Sequence, residues 1–147
     1  MKNPLLCLAL FTVFSVTGCS SDADSAGGSF QDRSWALTSY QTDSGEVTMI
    51  SGEPSYTFMF LRRSNSVEAQ LPCNPAVAGY TFSDSVFTAS GLISIDIPCV
   101  IETAETNTAE VFIAGMFDRE PLIVFLNDRT LIFRAGNNRE LRFATEI

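Results

Sequence analysis

From Trp35 to Phe143 the chain alternates apolar and polar side chains, segment after segment, and this period of two commits most of it to β-structure. Residues 55–61 (Ser-Tyr-Thr-Phe-Met-Phe-Leu) read as an aromatic strand buried on one or both faces. Val67, Ala69 and Leu71 alternate with Glu68 and Gln70, as in a half-exposed strand. Residues 79–82 and 86–88 flank Ser83-Asp84-Ser85, a hairpin-type turn. Ile93, Ile95 and Ile97 share a face, with Ser94 and Asp96 between them. Near the end, residues 122–126, 130–133 and 140–143 read as a three-stranded antiparallel meander, turned at Asn127-Asp128-Arg129 and at residues 135–138.

One segment departs from this pattern. Between Thr103 and Phe117 the apolar residues Ala109, Val111, Phe112, Ile113, Met116 and Phe117 recur at helical spacing. Thr103 or Thr106 can cap the start, and Pro121 lies beyond the end. This predicts one amphipathic helix whose Phe112, Met116 and neighbouring apolar side chains pack on the sheet. No fixed-period repeat and no second linker interrupts the pattern. The expectation is one β-rich α+β domain over residues 30–147: a mainly antiparallel sheet, curved or barrel-like, with one packed helix. Trp35, the only tryptophan, is expected to be buried rather than presented to a partner.

Composition narrows the chemistry. The 147 residues are 46% apolar, enough for a packed core, and carry a net charge of −8. There is no histidine, and the sole lysine is Lys2. An acidic surface repels phosphate backbones, which makes nucleic acid a poor partner. Without histidine or a further lysine, a serine or cysteine nucleophile has no ordinary base. Paired carboxylates remain, nominally Asp118 with Glu120 or Glu102 with Glu105, but acids at such spacing usually mark a solvated face. Asp43, Glu46, Glu68, Asp84 and Asp128 are scattered through turns and polar strand positions. No catalytic residue, metal ligand set or cofactor is expected.

The first residues address the chain. After Met1-Lys2-Asn3-Pro4, an apolar run from Leu5 to Val16 has the length of a secretory signal core, too short to span a bilayer. Val16-Thr17-Gly18-Cys19 closely resembles the lipobox of bacterial lipoproteins. That resemblance implies a signal peptide over residues 1–18, cleaved before Cys19, and a diacylglycerol (with a further acyl chain such as palmitate) on Cys19. Two or three chains give stable anchoring where one is marginal. Residues 19–29 are small, polar and Gly/Ser-rich, and read as a flexible tether. Ser20, rather than Asp, after the Cys suggests the outer membrane facing the periplasm if the host is Gram-negative.

Taken in order, the landmarks of the domain resemble the META-domain (HslJ-like) family of envelope lipoproteins. They are Trp35-Ala36-Leu37, an aromatic strand, Cys73-Asn74, Gly79-Tyr80, Cys99, Glu110-Val111-Phe112, and the terminal strands holding Thr130-Leu131-Ile132-Phe133 and Leu141-Arg142-Phe143. Pro72 and Ile95 depart from the family pattern, which has Gly before Cys-Asn and often Thr before the second Cys. The resemblance implies a mainly antiparallel sheet with a helix, an association with stress or drug tolerance, and no described catalysis. Once Cys19 carries lipid and Cys7 leaves with the signal, Cys73 and Cys99 are the remaining thiols. An oxidising compartment favours a disulfide between them, with two free buried thiols as the rival. Two functions stay open. One is a non-enzymatic envelope module that contacts a protein. The other is a binder of a lipid or other apolar ligand, with a pocket in the sheet.

Overall fold

In the computed structural model, residues 29–52, 55–94 and 104–145 are described. The expected signal, Cys19 and the tether up to residue 28 lie outside them, as do Ile95, Ile97, Cys99, Glu102 and Thr103.

Among the described residues, ten strands and one helix follow in chain order. They are β1 (Ser34–Gln41), β2 (Val47–Met49), β3 (Thr57–Leu61), β4 (Ser66–Gln70), β5 (Pro75–Ser83), β6 (Val86–Ala89), β7 (Ile93–Ser94), α1 (Ala104–Arg119), β8 (Leu122–Leu126), β9 (Thr130–Arg134) and β10 (Glu140–Thr145). Eight strands pair antiparallel in the order β10-β9-β8-β6-β5-β4-β3-β1, and β1 pairs β10 to close the ring. Closure removes the unpaired edges that an open sheet of this size would expose. The two remaining strands are short additions: β2 extends the outer end of β1, and β7 extends β5. The barrel-like expectation and the terminal meander are both seen.

Local chemistry sets the register. Asp84 and Ser85 both take positive φ (51° and 64°), giving the two-residue hairpin turn whose twist suits antiparallel strands. Asn65 (φ 48°) ends the β3–β4 turn in the same left-handed region. In β1 a bulge shifts the pairing between Leu37 and Ser39. Trp35 and Leu37 point inward before it and Tyr40 after it, so the alternation slips by one.

The inward side chains fill the barrel with rings. Phe58, Phe60, Phe87, Phe133 and Phe143 are fully buried and contact one another at centroid distances between 4.8 and 6.5 Å. Small residues from the neighbouring strands, Ala69, Ala76 and Ala78, leave the room these rings occupy.

The two ends are closed differently. At one end, where β1 finishes and β3 begins, α1 lies across the strand termini. Ala109, Ile113, Met116 and Phe117 are buried, and Phe117 reaches the rings of Phe58 and Phe87. Phe112 is half-buried against Tyr40, with centroids 4.8 Å apart. Val111, expected on the apolar helical face, is instead 66% exposed. One helical step is about 100°, so residue 111 falls well off the stripe defined by 109, 113, 116 and 117. At the other end, residues 30–32 hook over the opening. Phe30 is buried among Phe60, Phe82, Phe87 and Phe133. The buried Trp35 indole N–H donates to the Phe30 carbonyl at 2.8 Å, and the Asp32 N–H to the Phe60 carbonyl at 2.7 Å. Trp35 is therefore core, as the sequence suggests.

Candidate functional site

An eight-stranded barrel has an interior that side chains can just fill, or that can hold one small ligand. The ring network takes the first course here. Three half-open grooves lie on the outside of the barrel.

The roomiest of these, about 470 Å³, runs between β1–β2 and the first turns of α1 at the helix end. Tyr40, Met49 and Ile50 give it an apolar floor, and Thr48 and Thr108 add hydroxyls. The Thr108 hydroxyl already donates to the Ala104 carbonyl, 2.7 Å away, as a β-hydroxyl one turn along a helix commonly does. A groove of about 300 Å³ lies on the outer face of β3–β5, where Met59, Glu68 and Val77 stand abreast in the pairing register. Ile93 continues that row through its pairing with Val77 and is 71% exposed.

The strongest electrostatic feature is also on the outside. Glu140 is 8% exposed and accepts from Arg134 Nη2 at 2.7 Å and Arg142 Nη2 at 2.9 Å, with Arg134 Nε at 3.0 Å. Burial alone would raise its carboxyl pKa, but hydrogen bonds and charge from both arginines outweigh this and hold it below the ordinary value. Arg134 also lies 4.9 Å from the centre of the Phe125 ring. This carboxylate is held ionised by fixed cations, the reverse of what a general acid at neutral pH needs.

Of the nominal acid pairs, Asp118 and Glu120 engage different partners. Asp118 is exposed beside Gly91, where an added Cβ would meet its Oδ1 at 2.8 Å. Glu120 is ion-paired with Arg139. Of the second pair, Glu102 lies outside the described residues. No group of three Cys, Asp or Glu side chains among the described residues is placed to hold a metal.

Cys73 sits at the helix end, in the β4–β5 connection. Its N–H donates to Glu110 Oε1 at 2.8 Å, tying the connection to α1. The expected disulfide partner of Cys73, Cys99, lies outside the described residues. Nearby, burial pushes the Tyr56 hydroxyl up to a pKa of about 12, with the charges of Glu110 and Tyr40 adding to the effect.

Sequence reasoning missed three features. The hook at residues 30–32 has no periodicity to announce it. The strand β2 has only three residues, although Thr42 to Gly45 forms a recognisable turn before it, with Gly45 at φ 86°. The Arg134–Glu140–Arg142 cluster depends on β9 and β10 lying side by side; the i, i+2 spacing of Glu140 and Arg142 was its only local trace.

No family model matches the chain, and no curated protein does. Solved structures do. A Burkholderia xenovorans protein solved by NMR superimposes with a TM-score of 0.63 at 14% identity, over 80% of this chain and 83% of its own. A second NMR structure gives 0.58 at 19% identity, over 79% and 91%. A lipocalin-like protein from Bacteroides uniformis gives 0.54 at 14% identity, over 81% and 100%. At these identities the likeness shows the fold alone, an antiparallel barrel with one helix.

Proposed function

We infer that this chain is a lipid-anchored envelope lipoprotein of the META-domain kind, whose barrel acts by contact through its outer surface. The observation that carries this reading is the filled interior. With aromatic rings occupying the lumen and both ends closed, recognition is left to the exterior. The residue inventory supports action without chemistry: beyond Lys2 there is no lysine or histidine, and the buried carboxylate Glu140 is neutralised by two arginines. Anchoring at Cys19 comes from the lipobox-like sequence.

Two measurements test the reading. Mass spectrometry of the processed protein is expected to find acyl chains on Cys19; an unmodified residue 19 removes the anchor. Crosslinking in intact cells followed by affinity capture is expected to recover one dominant envelope partner, with contacts mapping to the barrel exterior.

The second reading, an apolar-ligand binder, moves from the lumen to the groove beside α1, because Tyr40, Met49 and Ile50 line it. Native mass spectrometry of protein purified without detergent is its test. A bound apolar molecule that is lost in Met49→Asp, with the fold intact, would favour this reading over protein contact.

A further inference from the structure

The antiparallel ring sorts the charges of the chain by end. At the hook end lie the start of β1, the β3–β4, β5–β6 and β8–β9 turns, and the finish of β10. The described ionisable residues there are Arg33, Arg62, Arg63 and Arg129 against Asp32, Asp84 and Asp128. This end thus holds four of the eight arginines of a chain whose net charge is −8. All four are exposed. Asp32 lies 3.9 Å from Arg62, both largely in solvent, a pairing too exposed to remove the guanidinium from service.

The arginines are contiguous around the ring. Arg129 is on the β8–β9 turn, whose carbonyl accepts the N–H of Thr145 at the finish of β10. Arg33 precedes β1, the strand beside β10, and Arg62 and Arg63 follow β3, the strand on the other side of β1. Within the opening, Phe82 stands 41% exposed above Phe30. At the helix end acids outnumber arginines: Asp43, Glu46, Glu110, Asp118, Glu120 and Glu140 stand there against Arg134 and Arg139.

The segment running back to Cys19 leaves from the hook end, since Ser29 adjoins Phe30. Ten residues separate Cys19 from Phe30, at most about 35 Å when extended. We propose that the arginine arc around Phe82 is a membrane-facing surface that seats on anionic lipid headgroups. The barrel then stands with its acidic helix end directed away from the bilayer. This rests on the anchored reading above. Charge complementarity supplies the orientation: phosphate headgroups attract the arc and repel the acidic pole. Each arginine near such a surface is worth about a fivefold change in partition, falling off within a Debye length.

The test separates orientation from natural acylation. The chain from residue 19 is coupled through Cys19 to a maleimide lipid in nanodiscs of phosphatidylglycerol or phosphatidylcholine, each doped with a headgroup spin label. Paramagnetic broadening of backbone amides is read at residues 62–66 and 128–130 on the hook end, and at 109–117 in α1. In phosphatidylglycerol the hook-end amides are expected to broaden several-fold more than the helix. The difference should collapse in phosphatidylcholine, in high salt, and in R62S/R63S/R129S, whose changes lie in exposed turns; unchanged Trp35 emission confirms that this variant is folded. Equal broadening at both ends in phosphatidylglycerol overturns the proposal. So does a bias that survives in phosphatidylcholine or in the arginine variant. If mass spectrometry finds no acyl chain on Cys19 of the native protein while the bias is present, the anchored reading fails and the basic surface stands. If acyl chains are found without the bias, the reverse holds.

Discussion

At the helix end of the barrel a sixteen-residue segment lays Ile113, Met116 and Phe117 across the strand termini, while at the other end Phe30 alone is driven into the rings. Both keep water from the same aromatic lumen. The helix satisfies its own backbone and can bridge a wide opening. The hook borrows its hydrogen-bond partners from Trp35 and Phe60. The comparison teaches that closing a barrel requires burial at both ends but not the same secondary structure at each.

Truncating one plug at a time is the most direct way to break this comparison. Phe117→Ala should lower unfolding free energy by about 3–5 kcal/mol in denaturant titration, as for other large-to-small core changes. Phe30→Ala should fall near the bottom of that range, about 3 kcal/mol, because a short end segment can settle into the space it leaves. A larger loss for Phe30 would make the hook, not the helix, the element that holds the lumen shut. Comparable in size is the cystine proposed for the helix end. Replacing Cys73 and Cys99 by serine should cost about 3–4 kcal/mol if the two are paired. Complete alkylation of both without reductant would show that they are not.

Acid and alkali sharpen the picture of the helix end, where Glu140 and Tyr56 lie. The folded-state pKa of Glu140 is lowered, so its contribution is present above the unfolded value and is lost as pH falls through the folded one. Glu140→Gln should therefore cost about 1–2 kcal/mol at neutral pH, and the gap to wild type should narrow in acid, below about pH 4. Tyr56, raised to about 12, works the other way. Its contribution is present below the unfolded value near 10 and is lost as pH rises through 12. An absorbance titration in which Tyr56→Phe removes no late-ionising phenol would refute this. The smallest effect belongs to the hook end: Ser85→Gly relieves a left-handed residue in the β5–β6 turn and should gain about 0.5–1 kcal/mol.

Legibility followed sequence distance. The β5–β6 hairpin and the β8–β9–β10 meander join neighbours in the chain, and alternation plus turn residues located them. The helix was visible because its stripe has a period of its own, yet Val111 was misplaced because a run of adjacent apolar residues blurs which face is buried. What eluded local reading depends on remote pairing: closure of β1 on β10, the slip at the β1 bulge, and the arginines that meet at Glu140. The lumen itself was ambiguous, since the phenylalanines that fill it could equally have lined a pocket. Only their mutual packing distances decide between the two.

The seam between β1 and β10 has a temporal meaning. Trp35 and Thr145 are partners about 110 positions apart, so the ring cannot be completed until nearly the whole domain is available. A chain synthesised N-terminus first must wait with β1 unmatched along one side, and joining such remote strands is intrinsically slow. In that interval the intermediate is an open sheet with two bare margins, the form most prone to pair with a neighbour. A nascent chain cut off before β10 would keep that form permanently. Loss of six residues at the close of the barrel should thus damage solubility more than it damages secondary structure.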